Sequence, residues 1–334
     1  MTEETKNLSS SKPLLSVENL HVTFHTKHSE VTPVDGVDLE VAPGEILGLA
    51  GESGSGKSLT LRAILGLLPR GGTSTGDLRF SSDGQAPVAY EPKSVRGAGM
   101  SMVFQEPMTA LNPTMRVGDL IALGARIHRG LSKAEAHAEA VNLMREVGIP
   151  VPERRARSWP HELSGGLRQR VMIATALSTN PRLLLCDEPT TALDVTVQRQ
   201  ILTLLRRLAE ERQMGMIFVT HDLPVLASIA NRIAVMYAGR VVEKNTASEL
   251  FKRPKHPYTH ALMHSAPVID VTEARLVGID GRPPDPRRFP DGCRFADRCT
   301  FVDERCATAS YTLGETVGDS ATSCIHELDL EGVR

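Results

Sequence analysis

The chain has 334 residues, of which 41% are hydrophobic and 23% charged, so it is long and apolar enough for one full-sized domain plus a smaller appendage. A formal net charge of −2 gives no sign of the basic face that nucleic-acid binding requires. No apolar run approaches the roughly 18 residues of a membrane span, and the polar, Ser-rich residues 1–13 are expected to be a disordered tail rather than a signal peptide.

The first half of the chain alternates strand and helix patterns, which is typical of a layered α/β domain. Strands are predicted at residues 15–24, 37–41 and 46–50, and a helix at residues 58–68. From about residue 117 to 177 the composition shifts to Ala, Leu, Glu, Arg and His with helical spacing. We interpret this stretch as a helical subdomain, at about residues 107–178, inserted in the α/β core.

Strand patterns resume after the helical stretch. Strands are predicted at residues 182–186, 216–220 and 233–237, separated by helices at residues 195–213 and 223–230. After residue 245 the chain changes character. Two short predicted helices, 247–253 and 258–265, lead into residues 281–292, which hold four prolines and precede four of the five cysteines. Residues 14–245 are therefore predicted to form one domain and residues 246–334 a small C-terminal lobe.

The strongest chemical signal is the segment Gly51-Glu52-Ser53-Gly54-Ser55-Gly56-Lys57-Ser58, which fits the phosphate-binding motif G-x-x-x-x-G-K-[ST]. It lies between a predicted strand and a predicted helix, which argues against a chance match in a Gly-rich loop. Backbone N–H groups of such a loop and of the helix start bind phosphate oxygens, while Lys57 reaches the β- and γ-phosphates and Ser58 ligates Mg²⁺. The predicted nucleotide contacts are Gly51, Ser53, Gly54, Ser55, Gly56, Lys57, Ser58 and Thr60.

A second acidic segment follows a predicted buried strand at Asp187-Glu188. Asp187 is predicted to join Ser58 in holding Mg²⁺, and Glu188 to activate a water against the γ-phosphate. The alternative for the pair alone is an acidic turn after a core strand. Cys186 is interpreted as a small core residue because it belongs to the apolar strand.

The segment Leu163-Ser164-Gly165-Gly166-Leu167-Arg168-Gln169-Arg170 resembles the ABC signature, with Leu167 where the family usually has Gln. Together with Gln105 as the Q-loop, Asp194 in the D-loop and His221 as the switch histidine, it makes residues 14–245 similar to an ABC nucleotide-binding domain. The resemblance implies a P-loop α/β fold with a mixed sheet core, an inserted helical subdomain and a small irregular lobe.

The same resemblance implies roles for these residues. Ser164, Gly165, Gly166 and Asp194 would meet ATP held by a facing subunit, and Ser-Gly-Gly at a helix start is physically a second anion-binding N-terminus. Gln105 is predicted to act both in catalysis and as an Mg²⁺ ligand, beside the catalytic Glu188 and His221. Phe24 stands where the family stacks an aromatic ring on adenine, with packing against the sheet as its alternative.

Three longer segments, residues 105–113, 187–198 and 255–262, resemble the ATPases of oligopeptide, dipeptide and nickel importers, in particular their D-type subunit. The resemblance implies an ATP-hydrolysing subunit that powers peptide import from the cytoplasmic face of the cell membrane, bound peripherally. Its implied partners are an F-type ATPase, two permeases and an extracytoplasmic solute-binding protein. The alternatives are import of nickel or another non-peptide solute and, from other classes, a nucleic-acid-processing ABC ATPase or a small-molecule kinase.

Four cysteines, Cys293, Cys299, Cys306 and Cys324, occur within 32 residues and are separated by five, six and seventeen residues. In a chain without export signals such clustering points to a metal more than to disulfides. The spacing differs from the paired C-x₂-C of zinc ribbons, and peptide-importer ATPases often carry a similar set with a [4Fe–4S] cluster. We therefore predict that cluster, with zinc or unligated thiols as alternatives.

The surroundings of these cysteines allow two further expectations. Arg294, Arg298 and Arg305 are expected to offset the negative charge of the thiolates. The role of the site is expected to be structural, because it is remote in sequence from the ATPase motifs.

Overall fold

The computed structural model describes residues 12–25, 29–81, 84–191, 193–265, 278–309, 313 and 320–326. The tail predicted at residues 1–13 lies outside this part of the chain except for Lys12 and Pro13. None of the described helices combines the length and apolarity needed to cross a lipid bilayer.

The strands are β1 (Leu15–His25), β2 (Glu30–Val41), β3 (Ile46–Ala50), β4 (Gly72–Phe80), β5 (Val88–Ala89), β6 (Met100–Val103), β7 (Leu183–Asp187), β8 (Gly215–Val219), β9 (Arg232–Tyr237), β10 (Arg240–Thr246) and β11 (Ala321–Thr322). The helices are α1 (Lys57–Ile64), α2 (Pro92–Val95), α3 (Pro107–Ala110), α4 (Val117–Arg129), α5 (Lys133–Glu146), α6 (Pro152–Arg155), α7 (Gly165–Leu177), α8 (Val195–Arg212), α9 (Leu223–Ile229), α10 (Ala247–Lys252) and α11 (Pro257–His264).

A seven-stranded mixed sheet in the order β11-β10-β9-β3-β8-β7-β6 forms the centre of the molecule. The five strands from β9 to β6 are parallel, whereas β10 and β11 are antiparallel additions. Every residue of β3, β7 and β8 is buried, because both sheet faces are covered, and this explains their continuous apolar sequences. The carboxyl ends of these parallel strands meet at one edge, where α/β proteins bind ligands.

A second sheet in the order β2-β1-β4-β5 is fully antiparallel and packs against α1. The second half of β2 alternates between one buried face and one partly exposed face, as an antiparallel strand with one solvated side does. Leu15, Val22, Val37 and Val41 of this sheet share one apolar cluster with Leu61 of α1. The sheet therefore holds α1, and with it the loop that precedes α1, from one side.

Residues 117–177 contain helices α4 to α7 and no strand, as the sequence predicts. Helix α5 begins with a reciprocal capping box between Ser132 and Glu135, and α4 ends at Gly130 in the left-handed conformation. Helices α4, α5 and α7 pack on one another through buried residues that belong to the same apolar cluster as β7 and β8. The helical segment is thus continuous with the main core.

The sequence prediction missed β4, β5, β6, β10, β11 and the first half of β2. Strand β4 contains Gly72 and Gly76 and is almost wholly exposed, so it shows no apolar run. Strand β2 includes Pro33 and Gly36, which are tolerated because β2 is an edge strand. These strands were missed because their apolar residues form no clear alternating pattern, and not because a helical pattern was assigned to them.

The described part of the C-terminal lobe packs on the main domain instead of enclosing a core of its own. Phe295, which is 2% exposed, lies 5.2 Å from Tyr237 and 5.4 Å from Tyr258 between ring centroids. Strand β11 pairs with β10 and so extends the central sheet. The fold class predicted from the sequence is confirmed. The lobe packs against the end of β9.

Candidate functional site

The loop between β3 and α1 curls tightly because its glycines adopt conformations that other residues avoid. Gly51 has a φ of +145°, and a Cβ there would lie 2.2 Å from the carbonyl oxygen of Met236. Gly56 has a φ of +105° and passes close to Pro33. The N-terminal N–H groups of α1 therefore point into a concave backbone, the arrangement that binds phosphate.

Lys57 occupies the centre of this loop and is 5% exposed. Its ammonium group donates to the carbonyl oxygens of Gly51 at 2.7 Å and Glu52 at 2.8 Å, and it lies 3.4 Å from the Ser55 hydroxyl. Burial lowers the pKa of Lys57, and the carboxylates of Glu188, Asp187 and Glu52 counteract that shift. The cation is thus held in place by the loop itself.

Ser58 and Asp187 are adjacent although they are far apart in the sequence. The Ser58 hydroxyl donates to a carboxylate oxygen of Asp187 at 2.6 Å. Burial raises the pKa of Asp187, and the hydrogen bond from Ser58 opposes that shift. A hydroxyl and a carboxylate at this distance supply two oxygen ligands of the kind that Mg²⁺ prefers, beside the phosphate loop.

Three side chains from three segments converge on Glu188. Nδ1 of His221 lies 3.2 Å from one carboxylate oxygen, while the other oxygen accepts from Gln105 at 3.3 Å and Thr191 at 2.9 Å. Glu188 has a φ of +45°, a strained conformation for a non-glycine residue that turns its side chain away from the path of β7. The structure therefore joins the three predicted catalytic residues, and it adds Thr191, which the sequence analysis missed.

The predicted signature lies at the start of α7, where Gly165 lines a cavity together with Gln105 and Thr191. Ser164 is the N-cap of α7 and, like Gly165, is exposed, and a Cβ at Gly165 would meet nothing within 4 Å. Leu167 packs its side chain against the main apolar cluster, while its N–H donates to the Ser164 hydroxyl at 3.4 Å. The replacement of Gln by Leu thus leaves the exposed Ser-Gly-Gly surface intact.

Three other predicted nucleotide contacts have local structural roles. Thr60 is fully buried and its hydroxyl donates to the Gly56 carbonyl at 3.1 Å, so it supports the loop from beneath instead of facing a nucleotide. Asp194 is the N-cap of α8, accepting from Val197 N–H at 2.9 Å, and its side chain is exposed. Phe24 is half-buried at the end of β1 against Gly72.

The structure brings the four lobe cysteines into one neighbourhood. Burial raises the pKa of the Cys324 thiol to about 11, and the neighbouring thiols of Cys293, Cys299 and Cys306 push it in the same direction. Backbone N–H groups donate to the sulfurs of Cys299 and Cys324 at 3.4 Å each. Such donors stabilise thiolates, so the set fits thiolate ligation of a metal.

A mixed group of potential metal ligands lies beside these cysteines and was not predicted. In the described ranges, the one set of three such atoms within 4.8 Å of one another comes from Asp303, Cys306 and His326. No compositional signal marks it, because its members are spread over 24 residues. Cys186, in contrast, is fully buried in β7, which confirms its interpretation as a core residue.

The structure gives each of the three arginines a carboxylate partner, and Arg305 also interacts electrostatically with the Cys306 thiol, so the expected offset of thiolate charge is supported for Arg305 alone. Arg294 pairs with Asp35, Arg298 with Glu52, and Arg305 with Asp303 at 2.7 Å. An arginine paired with a carboxylate contributes little net charge to a neighbouring group. The arginines fasten the lobe to other segments, and two of those carboxylates, Asp35 and Glu52, belong to the main domain.

Two family models match the chain. The model described as ABC transporter matches residues 34–191, which include the phosphate loop, Gln105, Ser164 and Glu188. The model described as the C-terminal region of oligopeptide/dipeptide transporters matches residues 242–306, which include three of the four lobe cysteines.

Relatives and solved structures resemble the chain over most of its length. It is 48% identical over 276 residues to the oligopeptide transport ATP-binding protein OppD of Bacillus subtilis (strain 168), covering 81% of this chain and 77% of that protein. It is 45% identical over 275 residues to the dipeptide transport ATP-binding protein DppD of the same strain, covering 81% and 82%. The dimeric structure of MJ0796, a bacterial ABC transporter cassette, matches with a TM-score of 0.61 and 29% identity over 70% of this chain and 98% of that one.

Proposed function

This chain belongs to the ABC transporter ATPases, in the group of oligopeptide and dipeptide import subunits, and we propose that it is the D-type subunit that hydrolyses ATP to power the import of peptides. The observation that carries the ATPase activity is the convergence of Gln105, Thr191 and His221 on the Glu188 carboxylate beside the phosphate loop. Peptides are the proposed solute because relatives of this chain, covered over most of their length, carry that solute in their names. Nickel import is the second candidate.

The residues divide the reaction between binding and proton transfer. Lys57 and the loop N–H groups bind the phosphates. Ser58 and Asp187 would hold Mg²⁺, which would supply positive charge beside the phosphate oxygens. Glu188 accepts a proton from the attacking water. His221 and Gln105 hold the Glu188 side chain in position, and the Gln105 side-chain oxygen is a further candidate ligand for the metal.

A second ATPase chain is proposed to complete each site. Ser164 and Gly165 form an exposed helix N-terminus, which is a ready anion site with no occupant from its own chain among the described contacts. The matching MJ0796 cassette is dimeric, which supports the pairing of two such domains. For this D-type chain the proposed partner is an F-type ATPase, so that ATP is held between two related but distinct subunits.

A groove between the central sheet and the helical segment offers a docking place for the permeases. It has a volume of about 230 Å³ and is lined mainly by apolar side chains, including Phe104, which is 37% exposed. Phe104 directly precedes Gln105, so a permease segment in the groove would sense movement of the Gln105 loop. We propose that one of two permeases binds here, that the two permeases together hold the two ATPases peripherally at the inner face of the membrane, and that a solute-binding protein acts outside.

The chain is accordingly proposed to divide into an ATPase domain at residues 14–245, with its helical subdomain at about 107–178, and a lobe at 246–334.

The lobe is proposed to hold a [4Fe–4S] cluster through Cys293, Cys299, Cys306 and Cys324. The supporting observations are that the four thiols lie close enough to influence one another's pKa and that backbone N–H groups donate to two of the sulfurs.

The purified chain by itself is expected to be a poor ATPase, because each nucleotide needs the exposed Ser164 surface of a facing subunit. ATP turnover should be measured for this chain alone, for its mixture with the F-type chain, and for the complex with both permeases in proteoliposomes. Turnover should rise at least tenfold from the first sample to the last. A chain that hydrolyses ATP alone as fast as the complex would contradict the two-chain site.

Uptake into the same proteoliposomes tests the solute. Labelled di- and oligopeptides should accumulate only with ATP and the solute-binding protein, whereas Ni²⁺ should not. Nickel uptake without peptide uptake would leave the ATPase assignment intact and overturn the peptide assignment.

The chain purified without oxygen is expected to be brown, with iron and inorganic sulfide in equal amounts, because four thiolates ligate an iron–sulfur cluster. A Cys299→Ser variant should lose both colour and iron. Cys186→Ser serves as the matched control and should retain them, since Cys186 lies in the core. One zinc per chain in colourless protein would point instead to a zinc site, with Asp303, Cys306 and His326 as candidate ligands, and absence of metal would overturn the site.

A further inference from the structure

The tightest connection between the C-terminal lobe and the ATP site is an ion pair between Arg298 and Glu52. The Arg298 guanidinium donates to both carboxylate oxygens of Glu52, at 2.8 and 3.0 Å, in a two-pronged arrangement. The side chain of Arg298 is 4% exposed and that of Glu52 is 24% exposed. The pair is therefore shielded from water, where such an interaction is much stronger than on the surface.

Arg298 is held in place by further contacts on its own side. Its guanidinium also donates to the carbonyl oxygens of Asp280 at 2.8 Å and Ile279 at 3.1 Å, and to the Tyr237 hydroxyl at 3.2 Å. It ends the short 3₁₀ turn Ala296–Arg298, directly before Cys299. The position of Arg298 is thus fixed by the lobe and by the end of β9 together.

Glu52 is the second residue of the phosphate loop, and its backbone is part of the site. Its carbonyl oxygen accepts from the Lys57 ammonium group at 2.8 Å and from Ser55 N–H at 3.2 Å. Its own N–H donates to the Tyr258 hydroxyl at 2.8 Å. Moving the Glu52 side chain therefore moves a carbonyl oxygen that holds Lys57.

The charge of Glu52 makes its partner essential for an anion site. A carboxylate next to a loop that binds a triphosphate repels the ligand unless a cation neutralises it, and the repulsion is larger where water is scarce. Within the described part of the chain, Arg298 is the cation that the structure pairs with Glu52. Arg298 would thus contribute to ATP binding in two ways, by neutralising the charge of Glu52 and by restraining the loop.

We propose that Arg298 is a positioning residue of the ATP site, which sets the affinity of the phosphate loop by neutralising and anchoring Glu52. The lobe is remote from the motifs in sequence, but through this pair it acts on the loop directly. The inference concerns ATP binding by the chain. It requires neither peptides as the solute nor iron in the lobe.

The test is a double-mutant cycle on the full chain purified without oxygen, read as the affinity for a non-hydrolysable ATP analogue with Mg²⁺. Arg298→Gln should weaken binding about tenfold, because it leaves the Glu52 charge unpaired. Glu52→Gln should weaken binding less than Arg298→Gln does, because it loses the anchor of the loop but leaves no carboxylate beside the triphosphate. The double variant should recover most of the loss, since it removes the unpaired charge. Arg298→Lys should fall in between, since it keeps the charge but loses the two-pronged geometry.

ATP turnover in the assembled transporter distinguishes a positioning role of Arg298 from a general loss of protein structure. Arg298→Gln should raise KM for ATP about tenfold and leave kcat within about twofold, because no catalytic group is altered. Arg145→Gln is the matched control. It removes an arginine that also pairs with a carboxylate, that of Glu153 in the helical segment, but is 57% exposed and should leave KM unchanged. Wild-type affinity in Arg298→Gln, or a double variant as weak as that single variant, would overturn the proposal. If Arg298→Gln does not fold, Arg298→Lys with wild-type affinity would overturn it equally.

Discussion

Glu188→Gln is expected to lower ATP turnover by the assembled transporter roughly 10³-fold while ATP binding stays within a few-fold of wild type, the size typical of a lost general base. The carboxylate is the acceptor for the water proton, and glutamine cannot take that role. It does preserve shape and hydrogen bonding, so His221, Gln105 and Thr191 keep a partner at the same position. The loop that binds the phosphates is untouched.

The measurement is single-turnover hydrolysis together with the affinity for ATP in the same preparation. Glu153→Gln is a matched control, because Glu153 is a surface carboxylate with 65% side-chain exposure that pairs with Arg145 at 2.8 Å. It should behave as wild type. Near wild-type turnover in Glu188→Gln would show that Glu188 is not the base, and a parallel collapse of ATP binding would show that its role is structural.

Lys57→Ala is expected to reduce ATP affinity by roughly 100-fold or more, which is the second large effect. Lys57 is the one buried cation whose ammonium group lies inside the described phosphate loop. Its removal deletes the contact to the β- and γ-phosphates, and it takes the ammonium donor away from the carbonyl oxygens of Gly51 and Glu52, of which Glu52 still accepts from Ser55 N–H. Both changes act on binding, so the loss should appear in the affinity and not only in the rate.

Binding of a fluorescent ATP analogue to the full chain, with thermal unfolding recorded in parallel, checks this prediction. Lys93→Ala, at an exposed lysine of α2, is the control and should bind as wild type. Lys57→Met separates charge from packing because it keeps most of the side-chain volume, and it should bind as weakly as Lys57→Ala. Unchanged affinity in both Lys57 variants would contradict the assignment of the phosphate site.

The sequence was informative for most of the fully buried strands, although β6, which is also buried at every position, was missed. Strands β3, β7 and β8 and helices α1, α8 and α9 were predicted at nearly their observed positions because apolar runs and caps are local signals. The antiparallel strands β4 and β10 were missed because they are short of apolar residues or carry glycine. Their pairing with distant strands, and not their own composition, makes them strands.

Individual site residues likewise differ in whether their roles could be assigned from local sequence or depended on tertiary packing. Lys57 and Ser58 could be assigned from eight consecutive residues, because one loop supplies the whole arrangement. The role of Thr60 could not be assigned in this way, because its burial beneath the loop depends on packing against Met236 in β9, 176 residues away. The arginines of the lobe were assigned to the thiolates by proximity in sequence, whereas the structure pairs each with a carboxylate.

The sequence by itself determined the fold class, the phosphate loop, the Asp187-Glu188 pair and the presence of a cysteine-rich lobe, since each is a local pattern or a compositional shift. Only the tertiary structure decided which polar side chains meet. Gln105 reaches Glu188 across 83 residues, and Arg298 reaches Glu52 across 246. A hydrogen bond between two side chains imposes no periodicity on either segment, so nothing in one sequence marks its partner. Such pairs are fixed by the packing of the sheet and the lobe, which brings the carboxyl ends of β3, β7 and β9 to one edge.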